Sequence, residues 1–320
     1  MAPPSTVVCL GEALVDRLGP QGGDPSLDQP VDDRLGGAPA NVACGLARLG
    51  TSVAFLGRVG DDPIGQQFVQ LFQQRGVENS GLQRDPDRPS RIVLVRRSQE
   101  GERQFQGFAG DGGQGFADQA LAPLTLPQGS RWLLVGTIPL ATATSASTLK
   151  AVLDQARQHG TAVALDVNWR PTFWDAAADP SAGPTSDVIA GIRPLLEQAA
   201  LIKLAREEAI WLFGSTDPQA MSDQLPQAPD VVVTDGAEPV RWWMDGASGM
   251  QPAFQPPHHV VDTTGAGDAF TAGLLHRWAA APVERIRFAA ACGALVCGGA
   301  GGIDPQPTEA QVEAFLGGVS

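Results

Sequence analysis

Lysine is nearly missing from this chain of 320 residues; Lys150 and Lys203 are the only two. That scarcity excludes whole motif classes. There is no Gly-Lys-Ser/Thr run for a Walker A loop, and neither the Val-Ala-Ile-Lys nor the His-Arg-Asp run of protein kinases occurs. Positive charge is scarce overall, with 22 Lys and Arg against 35 Asp and Glu, a net charge of −13. Nucleic acids and anionic membrane surfaces require clustered basic side chains, so neither is expected as a partner. Cysteine is sparse as well. Cys9, Cys44, Cys292 and Cys297 form no C-x-x-C pair and have no partnering histidine cluster, so buried reduced thiols are expected. The N-terminal stretch has no basic region and meets Glu12 early, which does not suit a signal peptide. The uncharged stretch 288–303 is glycine-rich and too short to span a bilayer comfortably. A cytoplasmic protein is expected.

Glycine and proline are plentiful, at 38 and 26 residues, so turns interrupt the elements often. With 43% hydrophobic and 18% charged residues the chain has the composition of a core-forming globular protein. Short apolar runs alternate with helix-period segments. Strands are expected at 7–10, 53–56, 132–135, 163–167, 201–203 and 231–234. Helices are expected at 40–49, 64–75, 146–158, 187–198 and 206–213, with Gly50 and Gly76 closing the first two. This alternation predicts an α/β core with a mostly parallel sheet. Two stretches break the rhythm. Residues 16–35 read as loop. Residues 90–108 alternate apolar and polar side chains around Gln99-Glu100-Gly101, which predicts an antiparallel hairpin and a small additional sheet. No repeat or low-complexity linker appears, so one domain is expected across 1–320.

Three segments carry chemical potential. In Val260-Val261-Asp262-Thr263-Thr264-Gly265-Ala266-Gly267-Asp268, an extended run leads to two glycines at the start of an apolar helix. Backbone amides and the helix dipole make an anion site there without lysine. Asp268 would repel an anion unless it has another task, such as taking a proton from an attacking hydroxyl. Read alone, the same stretch is equally a glycine turn followed by a helix whose first-turn acid suits the dipole. In Gly36-Gly37-Ala38-Pro39-Ala40-Asn41, the glycines permit close approach of a ligand and Asn41 offers both donors and acceptors. In Gly11-Glu12-Ala13-Leu14-Val15-Asp16, Asp16 lies just past the first strand, where α/β folds bind ligands. Either of these two segments alone would read as an ordinary turn. His258-His259 lacks partners at metal-ligand spacing, and the scattered tryptophans suggest no stacking platform; Trp242-Trp243 reads as packing.

Taken together and in this order, the segments resemble the ribokinase/PfkB family of small-molecule kinases over nearly the whole chain. The C-terminal Asp262-Thr263-Thr264-Gly265-Ala266-Gly267-Asp268 carries one signature. Gly36-Gly37-Ala38-Pro39-Ala40-Asn41-Val42-Ala43 followed by Phe55-Leu56-Gly57-Arg58-Val59-Gly60-Asp61-Asp62-Pro63-Ile64-Gly65 carries the other. Gly11-Glu12-Ala13-Leu14-Val15-Asp16 and Asp166-Val167-Asn168-Trp169-Arg170-Pro171, with nearby Trp174, are similar to the fructokinase branch.

The resemblance implies a ribokinase-like three-layer α/β/α core with lid segments at roughly 16–35 and 90–110, and relatives often pair such lids into homodimers. It implies ATP-dependent phosphorylation of a sugar hydroxyl, with fructose first and ribose, 2-keto-3-deoxygluconate or a nucleoside as alternatives. A non-catalytic nucleotide- or sugar-binding member is the alternative from another class. Asp268 would be the base, and the amides of Gly265, Ala266 and Gly267 the anion hole. Asp16, Gly36, Gly37, Asn41 and Asn168 would hold the sugar. Arg96 and Arg103 are further candidates for sugar contact, although a solvated hairpin face suits them as well. Lys203, Thr234, Gly236 and Gly301 fall on the nucleotide side. Glu208 would hold Mg²⁺ through water, and Asp262 and Thr264 a monovalent cation, K⁺. The sequence also departs from the family pattern. Ala205 stands where an Asn or Ser is usual, Pro239 replaces a second glycine, and 297–301 lacks the Thr and basic residue common there.

Overall fold

The computed structural model describes residues 7–97 and 103–318. The expected Gln99-Glu100-Gly101 turn lies outside the described residues. Among those described, the strands run β1 (Val7–Leu10), β2 (Leu14–Gln21), β3 (Asp32–Gly36), β4 (Val53–Gly60), β5 (Glu78–Asp85), β6 (Ile92–Arg97), β7 (Arg103–Ala109), β8 (Trp132–Val135), β9 (Ala162–Asp166), β10 (Leu201–Ala205), β11 (Asp230–Asp235), β12 (Glu238–Met244) and β13 (Ala247–Gln251). The helices are α1 (Ala38–Leu49), α2 (Pro63–Arg75), α3 (Ala143–His159), α4 (Ser186–Leu196), α5 (Arg206–Phe213), α6 (Pro218–Ser222), α7 (Ala266–His276), α8 (Pro282–Val296) and α9 (Glu309–Gly318).

Nine strands form one sheet in the order β13-β12-β11-β10-β9-β8-β1-β4-β5. Pairing is parallel from β11 to β5, and the β11–β12 and β12–β13 pairs are antiparallel. The short apolar strands are buried on both faces, as parallel strands with helical crossovers require. Side chains alternate between two cores. Val7, Cys9, Phe55 and Leu134 pack with α1, α2, α7 and α8, whereas Val8, Leu10, Leu56 and Leu133 pack with α3, α4 and α5. The expected three layers follow. Helix ends obey local chemistry, since Gly50 and Gly76 adopt φ of 95° and 75° at the ends of α1 and α2. No described helix is long and apolar enough to cross a membrane. The four cysteines are buried and free.

The second sheet has the order β3-β2-β6-β7. The hairpin expected at 90–108 is its β6–β7 pair, with a register shift between Leu94 and Val95 opposite Gly107, whose φ is 125°. Residues 16–35 are not simply loop; β2 and β3 occupy both ends of that stretch. Their polar composition conceals them, because the pairing is long-range: β2 runs parallel to β6, matching Val15 with Ile92 and Leu18 with Val95. Arg91, just before β6, joins this sheet to the core. It meets Asp118 at 2.9 Å and lies over the rings of Phe108, Phe116 and Phe173 at 4.4–4.6 Å. Trp242 is buried on β12, as a packing residue should be.

Candidate active site

The chain leaves β1 toward β4 and β5 on one side of the sheet and later returns to β8 on the other. This reversal opens a crevice at the carboxyl ends of β1 and β8, the place where ligands bind in open α/β sheets. A narrow recess lies there, lined by residues including Glu12, Pro39, Thr137, Asp166 and Asn168. The sequence-derived candidates are ordered along this edge. Asn168 follows β9, Lys203 is in β10 with Glu208 just beyond it, and Thr234 and Gly236 end β11, while Glu12, which sequence reasoning left without a role, follows β1. From β1 to β11 is four strand steps, roughly 19 Å.

Two helix starts converge over the crevice. α1 and α7 cross where both carry small residues; a Cβ on Gly45 would lie 2.9 Å from the Cβ of Ala272. One turn earlier on each helix stand Asn41 and Asp268, which the crossing brings together. Asn41 Nδ2 donates to Asp268 Oδ2 at 2.7 Å. Gly36 faces the same point, since a Cβ there would sit 3.4 Å from Asp16 Oδ2 and 3.9 Å from Asn41 Oδ1. Gly37, with φ of 102°, could carry no Cβ, which would fall 2.6 Å from the Glu12 carbonyl oxygen. Asp16, Gly36, Gly37, Asn41 and Asp268 therefore form one cluster.

At the start of α7, Gly265 has φ of 78°, and a Cβ would fall 2.5 Å from Gly302 Cα. The Ala266 amide turns back to the Thr263 carbonyl at 3.2 Å, and the helix ladder begins with Ala269 N to Gly265 O at 2.8 Å. The amides of Gly267 and Asp268 fall in the first turn, where a helix supplies no acceptor. Asp262 ties this turn to the C-terminal loop. Its Oδ1 accepts from Thr264 N at 2.9 Å and its Oδ2 from Gly301 N at 2.8 Å. Gln306 adds bonds to the carbonyls of Asn41 (2.7 Å) and Gly302 (2.8 Å).

Beneath the turn, the Lys203 ammonium meets both oxygens of Asp166, at 3.1 and 3.2 Å. It stands 3.0 Å from where a Gly267 Cβ would be, so a side chain there would press on the ammonium. Thr271 Oγ1, one turn into α7, lies 2.8 Å from Asp166 Oδ2. Burial pulls the Lys203 pKa down, but Asp166, Glu208 and Asp268 more than offset this and hold it raised. Glu208 accepts from the amides of Trp169 at 2.6 Å and Ala205 at 2.7 Å, the second being the backward bond of a capping glutamate. Burial raises its pKa despite Lys203 and those amides. Asp268 is pushed up to about 6, by burial first and then by Asp166, while Asn41, Lys203 and Arg170 act in the opposite sense.

Other candidates lie apart from this cluster. Arg96 bonds the Gly23 carbonyl at 3.2 Å within the second sheet, rather than Asn41 or Asp268. Arg103 opens β7 opposite Arg97. Thr234 bonds the Leu204 carbonyl at 3.5 Å, and Gly236 takes φ of 56° in the turn to β12. Gly301, with φ of 81°, packs against the aliphatic stem of Arg34. Sequence reasoning assigned no role to Glu12, Asp166, Arg170 or Thr271. Asp166 and Arg170 lie in a stretch that had attracted notice, but no sequence spacing announces that Thr271 meets Asp166 from 105 residues away.

The pattern for "pfkB family carbohydrate kinase" matches residues 4–309. A fructokinase of Klebsiella pneumoniae is 35% identical over 320 residues, covering 96% of this chain and 98% of that one. The crystal structure of a fructokinase with bound ATP from Xylella fastidiosa superposes with a TM-score of 0.80 at 29% identity, covering 98% of both chains. A fructokinase of Vibrio cholerae in its fructose-, ADP- and calcium-bound form gives a TM-score of 0.80 at 32% identity, covering 98% of this chain and 99% of that one. With the sheet order, the paired helix starts and these likenesses agreeing along its length, the chain belongs to the pfkB family of carbohydrate kinases.

Proposed function

We propose that this protein is an ATP-dependent fructokinase that converts fructose to fructose 6-phosphate. The observation that carries the reading is Asp268, held by Asn41 at an amide-rich helix start on the carboxyl edge of the sheet. The fructokinases it resembles, one bound to ATP and one to fructose and ADP, direct the choice of sugar and donor.

In this mechanism Asp16, Gly36, Gly37, Asn41 and Asn168 hold the sugar, with its 6-hydroxyl directed at Asp268. The carboxylate takes the hydroxyl proton as the oxygen bonds to the γ-phosphorus and the bond to the bridging β–γ oxygen breaks, releasing ADP. A base with a pKa of about 6 is largely ionised at neutral pH, yet basic enough to accept that proton. The Gly265 and Gly267 amides and the dipole of α7 meet the charge on the phosphoryl oxygens, the Ala266 amide being turned back to the Thr263 carbonyl. Lys203 supports them from below. Arg170, exposed four residues past β9 and acting electrostatically on Asp268, is a cation available to the phosphates. Thr234, Gly236 and Gly301 line the nucleotide side.

The donor set suits hard cations. Glu208 is a buried carboxylate whose two oxygens each accept one amide and keep further lone pairs, so it would hold Mg²⁺ through water. Asp262 and Thr264 would hold K⁺ in the same manner of hard oxygen donors. Bound together with ATP, Mg²⁺ would supply charge neutralisation at the phosphates. The second sheet serves as the lid that excludes water from the reaction.

A panel of fructose, ribose and 2-keto-3-deoxygluconate with Mg·ATP and coupled ADP detection tests the reading. Fructose should give the highest kcat/KM, and Asp268→Asn should lower kcat by roughly 10²–10⁴-fold. Preference for another sugar would reassign the substrate, and near-full activity of Asp268→Asn would remove the base.

A further inference from the structure

Glu12 is a buried acid that the proposed chemistry leaves unused. It follows β1 at the crevice and is 3% exposed. Its Oε1 accepts from the Ala38 amide at 3.1 Å, while Oε2 is buried without a hydrogen-bond partner. Ala38 is the first residue of α1, so this bond grips the Gly36-Gly37-Ala38 turn at its helical end. The same two segments touch on either side of the bond. A Cβ on Gly37 would fall 2.6 Å from the Glu12 carbonyl oxygen, and one on Gly11 would fall 2.5 Å from Pro39 Cγ. Such contacts leave the turn no slack. Gly36 faces Asp16, and Asn41 bonds Asp268, so one carboxyl group braces the whole cluster from behind.

The charges around Glu12 give it no counter-ion. Asp268 on α7 and Asp118 after β7 both act on it unfavourably, and Asp118 is already paired with Arg91. Asp166 lines the same recess and is paired with Lys203. No ion pair to Glu12 is present among the described residues. Burial first, and then Asp118 and Asp268, push its pKa up to about 8 against the opposing effect of the Glu12 and Ala38 amides.

We propose that Glu12 is a positioning residue which must be a neutral carboxylic acid for the Gly36–Asn41 segment to grip the sugar, and whose ionisation loosens that grip. One oxygen then accepts from Ala38 while the other retains the proton. Loss of the proton leaves an unpaired buried anion facing Asp268, a state relieved when the turn moves away and water enters. The proposal rests on reading Gly36 and Asn41 as the sugar side.

Two variants separate the roles of shape and charge. Glu12→Gln keeps an oxygen for Ala38 and cannot ionise, whereas Glu12→Leu removes both properties. Wild-type kcat/KM for the sugar should fall about tenfold per pH unit above pH 8. Glu12→Gln should lose this alkaline limb and restore most of the turnover lost in Glu12→Leu. In Glu12→Leu, KM for the sugar should rise at least about tenfold, while KM for ATP changes less than about threefold. Difference infrared spectra of wild-type and Glu12→Gln should assign a protonated carboxyl band to Glu12 at neutral pH. An alkaline limb kept at the same pH in Glu12→Gln, equal changes in both KM values, or the absence of that band would overturn the proposal. If the wild-type chain turns over no sugar, the kinase reading itself fails, and the proposal with it.

Discussion

Replacing Asn41 with alanine tests how the proposed base is tuned. The Asn41–Asp268 bond is 2.7 Å long, and a base at Asp268 would be ionised during turnover. A hydrogen bond to a charged group contributes about 1.5–3 kcal/mol. One pKa unit corresponds to about 1.4 kcal/mol, so its loss should raise the Asp268 pKa by roughly one to two units. The acid limb of kcat/KM for the sugar should move from near pH 6 to roughly 7–8. At pH 6.5 the ionised fraction would then fall by a factor of roughly three to twenty-five, in addition to any lost sugar contact. The sign is fixed by chemistry. As the proposed base, Asp268 would have to be ionised to act, so activity would be lost as pH falls through its pKa, and a raised pKa would bring that loss to higher pH. The assay is kcat/KM from pH 5 to 9 with coupled ADP detection. Direct sugar contact lowers the plateau without moving the limb, so the two effects separate in one data set. With Glu12 closing the alkaline side near 8, the bell should also narrow visibly. An acid limb that stays within about 0.3 units of wild type would refute the idea that this bond tunes Asp268.

Three further expectations follow from the same region. Lys203→Met strands Asp166 in a buried setting and should destabilise the fold by about 3–5 kcal/mol in urea titrations, with much of the loss recovered when Asp166→Asn is added; a loss below about 1 kcal/mol would contradict the buried-pair argument. Gly265→Ala must place a Cβ 2.5 Å from Gly302 Cα at a φ of 78°, so a stability loss of about 1–3 kcal/mol and a kcat at least tenfold lower are expected; wild-type kcat would show that the turn tolerates a side chain. Arg170→Gln should raise KM for ATP roughly tenfold with little change in KM for the sugar; an unchanged KM for ATP would remove Arg170 from the phosphate side.

The sequence conveyed much of the core because parallel strands and their helices announce themselves locally. Runs such as Val7–Leu10 and Trp132–Val135 are apolar throughout, and the glycines at 50 and 76 mark helix ends. The second sheet was only half legible. β6 alternates clearly, but β3 is polar and β2 finds its β6 partner dozens of residues away. The cluster at Asp268 was visible as separate motifs, since close backbone approach demands glycine whatever the distance in sequence. Its supports were not visible. Thr271 and Glu12 are unremarked residue types whose significance comes from what the fold places beside them. Glu208 carries a plainer lesson, for the acid that suggested a metal-organising role also caps α5 and anchors Trp169.

The crossing of α1 and α7 at Gly45 and Ala272 acts as a fulcrum one turn from the hydrogen bond between Asn41 and Asp268. Neither residue bears a group that could touch a sugar or a phosphate. Yet a single methyl added at Gly45 would wedge the two helices apart at the point where their spacing sets the reach of Asn41. Tolerance to substitution at this crossing should therefore follow turnover more closely than thermal stability, and two positions that look like ordinary interior packing should behave as part of the catalytic machinery.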